Sequence, residues 1–172
     1  MELDLNTDLS IAEALLQDLA QALRLRHQMM AAAESCTGGL IAAACTRLPG
    51  SSLWFERGLV SYSNAAKIEL LGVPAALIEA HGAVSEEVAL AMAEGLLARA
   101  PVDYAVAVTG IAGPDGGTAA KPVGTVWLAL ATRQGALRAW REQFAGDRAA
   151  VRLASVHSAL SAVLAAAQAQ SG

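Results

Sequence analysis

Apolar residues recur at helical spacing over residues 9–27, where Ile11, Leu15, Leu16, Leu19 and Leu23 fall on one face. Ser10 stands where an N-cap is wanted and Glu13 follows three residues later, the spacing of a capping box. The pattern then changes. Residues 29–33 form a short apolar run, the polar stretch Glu34-Ser35-Cys36-Thr37-Gly38-Gly39 interrupts it, and residues 40–46 return to helical spacing. This predicts a strand, a tight loop and a helix.

Pro49-Gly50-Ser51-Ser52 predicts a turn, and residues 59–62 a second strand. Asn64 is placed to cap a helix reaching Leu71, which Gly72 closes and Pro74 follows. Ser85-Glu86-Glu87 opens another helix, which carries Val88, Met92, Leu96 and Leu97 and is ended by Pro101. Residues 104–108 predict a third strand, 124–132 and 136–144 two more, and 147–167 a closing helix. Residues 109–118 hold too much Gly and Pro for regular structure and predict a long shaped loop. The interleaving of helices and strands predicts an α/β fold: a three-layer α/β/α sandwich on a mostly parallel mixed sheet, with an antiparallel hairpin at one side. Neither an internal repeat nor a linker is visible, so residues 1–172 are expected to form a single domain.

Composition sharpens that picture. The chain is 55% hydrophobic but only 4% aromatic, so Ala, Leu and Val must fill the core, and such small side chains favour close approach of helix to sheet. The formal net charge of −4 is spread over interspersed acidic and basic residues, which is no nucleic-acid footprint. Glu2, Asp4 and Asp8 stand where a signal peptide would carry positive charge, and no apolar run approaches the roughly 18 residues of a membrane span. A cytoplasmic protein with no membrane partner is expected. Cys36 and Cys45 lie nine positions apart on one loop and its following helix, too far for a disulfide, so free thiols are expected.

Three loops rich in glycine or hydroxyl groups follow strands: the Ser35 loop, the Tyr62-Ser63-Asn64 corner and residues 109–118. Ligands of open α/β sheets bind where strands run out into loops, so all three are expected to face one crevice. Ser35 precedes a helix opened by two glycines, near free N–H groups that suit an oxyanion. The same placement describes a plain helix cap by Ser35 or Thr37, and the local sequence does not separate the two. A nucleophilic serine needs a base, and the histidines stand in no motif: His27 ends the first helix, His81 precedes Gly82 in a loop, and His157 lies mid-helix. Lysine offers more, because the chain has only Lys67 and Lys121 against ten arginines, and a desolvated lysine can shed its proton. Lys67 follows Tyr62 by five residues, so both can reach the same end of the sheet; the alternative is a solvated helix lysine paired with a nearby glutamate.

Cys36 is a rival nucleophile, since a helix N-terminus lowers a thiol pKa, but without a placed His or second Cys it reads as loop packing. Residues 109–118 have the composition of a phosphate cradle yet lack the P-loop ending and the dinucleotide spacing. Lys121 and Arg148 supply positive charge nearby. Arg148 falls in the first turn of the last helix, against the helix dipole; a bound anion relieves that placement, which makes Arg148 the expected phosphate contact. No cluster of His, Cys and carboxylates has the spacing of a metal site, so neither metal nor cofactor is expected.

Six segments in order closely resemble the competence-damage-inducible CinA C-terminal family. They are Ala33-Glu34-Ser35-Cys36-Thr37-Gly38-Gly39, Pro49-Gly50-Ser51-Ser52, Val60-Ser61-Tyr62-Ser63-Asn64 with Lys67, His81-Gly82-Ala83-Val84-Ser85, residues 109–117, and Lys121-Pro122-Val123-Gly124-Thr125-Val126. The resemblance covers about residues 10–165. It implies an α/β/α domain, and its stand-alone members are nicotinamide-nucleotide amidases that turn nicotinamide mononucleotide into nicotinic acid mononucleotide and ammonia in pyridine nucleotide salvage. By resemblance the serine nucleophile falls on Ser35, the tyrosine on Tyr62, the lysine on Lys67, the ligand loop on Thr109, Gly110 and Gly113, and the late arginine on Arg148. The amides of Cys36, Thr37 and Gly38 are then expected to hold the oxyanion, while neutral Lys67 takes the Ser35 proton directly or through Tyr62. Many relatives carry a further N-terminal molybdopterin-binding-like domain, for which this chain is expected to have no room, and relatives imply a homodimer. Two other readings stay open: a nucleotide-binding or partner-binding module without useful catalysis, and a hydrolase of another small amide.

Overall fold

Strand β1 (Met30–Glu34) is buried along its whole length because it lies between two parallel neighbours, β2 (Phe55–Val60) and β3 (Tyr104–Gly110). Ala33 of β1 pairs with Leu59 of β2 and Ala107 of β3. On the far side of β3 come β4 (Thr125–Thr132) and β5 (Leu137–Gln143), both joined antiparallel, giving the order β2-β1-β3-β4-β5. Four strands therefore share one direction and β4 opposes them, the mixed sheet with an edge hairpin that the pattern predicts. The computed structural model describes residues 13–169, so the expected cap Ser10 and the apolar Ile11 lie outside the described residues.

The pleat sorts the core into two halves of different character. Met30, Ala32, Tyr104, Val106, Val108, Val126, Leu128 and Leu130 point to one face, covered by α1 (Glu13–Leu25), α2 (Leu40–Thr46) and α6 (Arg148–Ala169). Ala31, Ala33, Ala105, Ala107, Ala129 and Ala131 point to the other, under α3 (Asn64–Leu71), α4 (Ala75–His81) and α5 (Glu86–Arg99). A sheet face tiled with alanine lets its helices come close. Gly95 of α5 extends that closeness to the helix pair, since a Cβ there would stand 1.8 Å from the Leu71 carbonyl oxygen of α3.

Several local expectations need correction. Ser63, not Asn64, caps α3: its backbone is extended and its Oγ accepts from the Ala66 N–H at 3.0 Å. Strand β2 begins at Phe55 and leaves Tyr62 beyond its end; Glu56 and Arg57 interrupt the apolar signal, as charges on an edge strand do. Helix α4 occupies a stretch read as loop, so His81 ends a helix instead of lying in a loop. Pro74 sits at its N-cap, where proline's fixed φ and missing N–H are harmless, and its one buried residue, Ile78, is too little for a periodic signal. Finally, α6 has 22 residues, and an 18-residue window of it has a mean hydropathy of 1.5, so by length and composition alone it would suit a membrane span, although Arg152, His157 and three serines break its apolar run. Its apolar side, including Val151, Val156, Leu160 and Val163, packs into the core against the sheet and α1.

Candidate active site

Ser35 is the first residue beyond β1, and its N–H still bonds to the Val108 carbonyl of β3 at 3.0 Å. The chain then turns sharply into α2 through Gly38 and Gly39, whose φ values of +58° and +98° lie in the left-handed region that favours glycine. Glu34, fully buried, fixes this turn: its carboxylate accepts from the amides of Gly39 and Ile41 at 3.0 Å each and of Ala42 at 2.9 Å. These are the orphan donors of a helix start, and the carboxylate also meets the positive end of the helix dipole. From the opposite side Arg152 of α6 donates to the Cys36 carbonyl (3.2 Å) and the Thr37 carbonyl (3.0 Å). The Gly38 N–H is used by the Ser35 carbonyl at 3.0 Å. Of the three amides expected to hold an oxyanion, Gly38 is thereby withdrawn, Thr37 is fully buried away from the cleft, and Cys36 is the one whose residue borders it beside Ser35.

Lys67 reaches Ser35 from α3. Its side chain is 1% exposed, and Nζ lies 3.0 Å from Ser35 Oγ, 2.9 Å from the Ser61 carbonyl oxygen and 3.4 Å from that of Tyr62. No ion pair joins it to a carboxylate among the described residues. Burial therefore pulls Lys67 below the usual lysine range, opposed only in part by the nearby Cys36 thiol. A neutral amine fits this setting: two N–H groups serve the two carbonyls, and the lone pair is left for the Ser35 hydroxyl proton. The solvated-lysine alternative is not what the structure shows. Cys36, the rival nucleophile, is pushed up to about 11 by burial, against the opposing pulls of its own N–H, Arg152, Lys67 and Arg148. Cys36 and Cys45 are both free and buried.

A cleft of about 220 Å³ opens at this point, between the ends of β1 and β3 and the start of α3. Ser35, Cys36, Tyr62, Lys67, Thr109, Gly110 and Arg148 line it, so the three loops do meet in one crevice. Thr37, Gly38 and Gly113 do not line it. Thr37 is fully buried with Oγ1 unpartnered, and Gly113 offers its carbonyl to Arg148 Nη1 at 2.9 Å from behind the rim. Arg148 Nη2 also donates to the Tyr62 hydroxyl at 3.0 Å, and Tyr62 is 58% exposed at the mouth. Only the backbone of Tyr62 contacts Lys67; its hydroxyl belongs to Arg148. Thr109 Oγ1 donates to the Ala83 carbonyl at 2.8 Å, which draws the segment before α5 over the cleft and brings in Ala83 and Val84. None of the three histidines lines the cleft: His27 follows α1 with φ +54°, His81 pairs with Glu87 at 3.2 Å, and His157 lies 3.5 Å from Ser161 Oγ. Lys121 is also elsewhere, donating to the His81 carbonyl at 2.8 Å.

Sequence reasoning missed Glu34, Arg152, Ala83 and Val84 as parts of this site, while Asn64, in the corner expected to face the crevice, does line it. An acid closing a strand just ahead of a glycine turn into a helix was the available signal for Glu34. Arg152 lies 115 positions from Thr37, and no local pattern announces such a contact.

Comparisons with known proteins place the chain in a family. Residues 12–167 match the family model described as the CinA C-terminal domain. A protein of Enterobacter agglomerans named nicotinamide-nucleotide amidohydrolase PncC is 56% identical over 136 residues, covering 79% of this chain and 83% of the relative. Its namesake in Escherichia coli K12 is 54% identical over 136 residues, covering 79% and 82%. Among solved structures, the competence/damage inducible protein CihA from Agrobacterium tumefaciens superposes with a TM-score of 0.88 at 44% identity, covering 92% of this chain and 94% of that one. A CinA superfamily protein from Escherichia coli gives 0.85 at 35% identity, covering 95% and 98%. A family model matched over nearly the whole chain, and relatives that share more than half of the aligned residues, make this chain a member of the CinA C-terminal domain family.

Proposed function

We propose that the protein is an amidohydrolase that converts nicotinamide mononucleotide into nicotinic acid mononucleotide and ammonia, with Ser35 as nucleophile and Lys67 as its base. The observation that carries this reading is the 3.0 Å contact between a buried, carboxylate-free lysine amine and the Ser35 hydroxyl. The substrate class follows from relatives named for that nucleotide, and from a cleft lined by Lys67 and Arg148 with no carboxylate.

Neutral Lys67 accepts the Ser35 proton as Oγ bonds to the carboxamide carbon, and the carbonyl electron pair moves onto oxygen. The Cys36 amide, beside Ser35 at the cleft, holds that oxyanion. When it collapses, the C–N bond breaks and Lys67 returns the proton to the departing nitrogen, which leaves as ammonia. Water then attacks the Ser35 ester, Lys67 takes its proton, and the C–O bond to Ser35 breaks as that proton returns to Oγ. Ligand pockets that engulf a drug-sized molecule run to about 300–1,000 Å³, so a 220 Å³ cleft encloses the carboxamide ring and leaves the phosphate at the mouth, beside Arg148. Tyr62 acts there with Arg148 on substrate orientation, and the proton passes directly between Ser35 and Lys67.

On this reading the chain works in the cytoplasm, in pyridine nucleotide salvage, as a single-domain homodimer without a cofactor. The expected result is steady ammonia release from nicotinamide mononucleotide by the purified protein and its loss in Ser35→Ala and Lys67→Ala. Near-native turnover by either variant would defeat the assignment.

A further inference from the structure

The turn that carries Ser35 has a nearly complete hydrogen-bond account. Its amides go to the Val108 and Ser35 carbonyls and, beyond Gly38, to the Glu34 carboxylate; the Ser35 carbonyl goes to Gly38. The Cys36 and Thr37 carbonyls are taken by one guanidinium, that of Arg152, through Nε and Nη2. Such a fork fits two successive carbonyls from one side, which an ammonium cannot do. No ion pair links Arg152 to a carboxylate among the described residues, although the residue is half-buried. Its charge is spent on the backbone of the turn.

The consequence follows from peptide geometry. A trans peptide points its N–H opposite to its C=O, so a donor that fixes the Thr37 carbonyl also fixes the direction of the Gly38 N–H. That N–H bonds to the Ser35 carbonyl at 3.0 Å, which in turn sets the plane of the Ser35–Cys36 peptide and the direction of the Cys36 N–H. Arg152 lines no part of the cleft, whereas Arg148, one helical turn earlier on α6, does.

We propose that Arg152 is a positioning residue for the deamidation reaction: from α6 it holds the Cys36 and Thr37 carbonyls, and so fixes the turn that aims the Ser35 hydroxyl at Lys67 and orients the Cys36 amide for the oxyanion. The inference rests on the amidohydrolase reading. Because its contribution is made to the transition state and not to ground-state binding, it belongs in kcat and leaves KM alone.

The test compares ammonia release from nicotinamide mononucleotide by the wild-type protein, Arg152→Lys and Arg152→Ala, the last with and without added ethylguanidinium. Removing one oxyanion donor outright costs about 100- to 1,000-fold, so loosening the Cys36 donor should lower kcat of Arg152→Ala by about 10- to 100-fold with KM little changed. Arg152→Lys, which reaches one carbonyl, should fall between, ethylguanidinium should restore part of the loss, and the pH profile set by Lys67 should stay where it is. Wild-type kcat in Arg152→Ala, or a loss that appears in KM and that ethylguanidinium leaves untouched, overturns the proposal. A wild-type protein that releases no ammonia overturns the amidohydrolase reading instead. In that event hydrogen exchange at the Cys36, Thr37 and Gly38 amides still decides the positioning role: faster exchange in Arg152→Ala than in Arg152→Lys upholds it, and equal rates refute it.

Discussion

Replacing Lys67 by methionine keeps the length and apolar stem of the side chain and removes the amine. General acid–base catalysis by a positioned group contributes about 100- to 10,000-fold, or roughly 3–5.5 kcal/mol of barrier, and here one amine serves every proton transfer. Turnover of nicotinamide mononucleotide should therefore fall at least into that range. Stability should respond quite differently. Burial holds the Lys67 pKa below its ordinary value in the folded protein, so in the window between the two values the unfolded chain binds more protons and stability rises with pH. Below the folded value the buried ammonium is a net cost of about 1.4 kcal/mol per unit of depression, and Lys67→Met removes that cost. Against this, the fully buried Ser61 loses its donor at 2.9 Å, a penalty of about 1–3 kcal/mol. The two effects oppose, and the melting temperature should move by less than about 8 °C. Calorimetry beside an ammonia assay reads both quantities. Loss of activity with an intact melting temperature is the signature of a buried base; a collapse of the fold, or turnover within ten-fold of wild type, would refute the reasoning.

The lowered Lys67 pKa also fixes a pH trend: kcat/KM should climb as pH rises toward and through a limb below the usual lysine range, because only the neutral amine accepts the Ser35 proton. With the Cys36 thiol pushed up to about 11, Cys36→Ala should retain ammonia release within a few-fold, and iodoacetamide near pH 8 should leave the enzyme active. Arg148→Ala removes a cation from the cleft mouth, where charge-assisted hydrogen bonds are worth about 1.5–3 kcal/mol, so KM for the mononucleotide should rise about 10- to 100-fold while turnover of the phosphate-free riboside is little changed. Gly95→Ala forces a Cβ to within 1.8 Å of the Leu71 carbonyl, and overpacking of that kind should cost about 1–3 kcal/mol, read as a fall in the urea midpoint. An unchanged midpoint would show that α3 and α5 separate freely.

Wherever one local physical preference governed, the sequence was enough. Short apolar runs bounded by turn residues placed β1, β3 and β4. Helical spacing placed α5 and α6 to within a residue or two of their observed starts, and paired left-handed glycines marked the turn after Ser35. Edge strand β2 and helix α4 were harder to read, because exposed elements owe less to the hydrophobic pattern.

Residue types alone left Ser35 poised between helix cap and nucleophile, and Lys67 between solvated side chain and base. The tertiary structure brings these two residues, 32 positions apart, to 3.0 Å and buries the amine without a carboxylate, and the proposed roles rest on that contact. The contacts from Arg152 to the Ser35 turn were likewise invisible in one dimension. Local preferences determine elements and caps, but a desolvated charge and a hydrogen bond between distant segments exist only once packing has excluded water from the space between them.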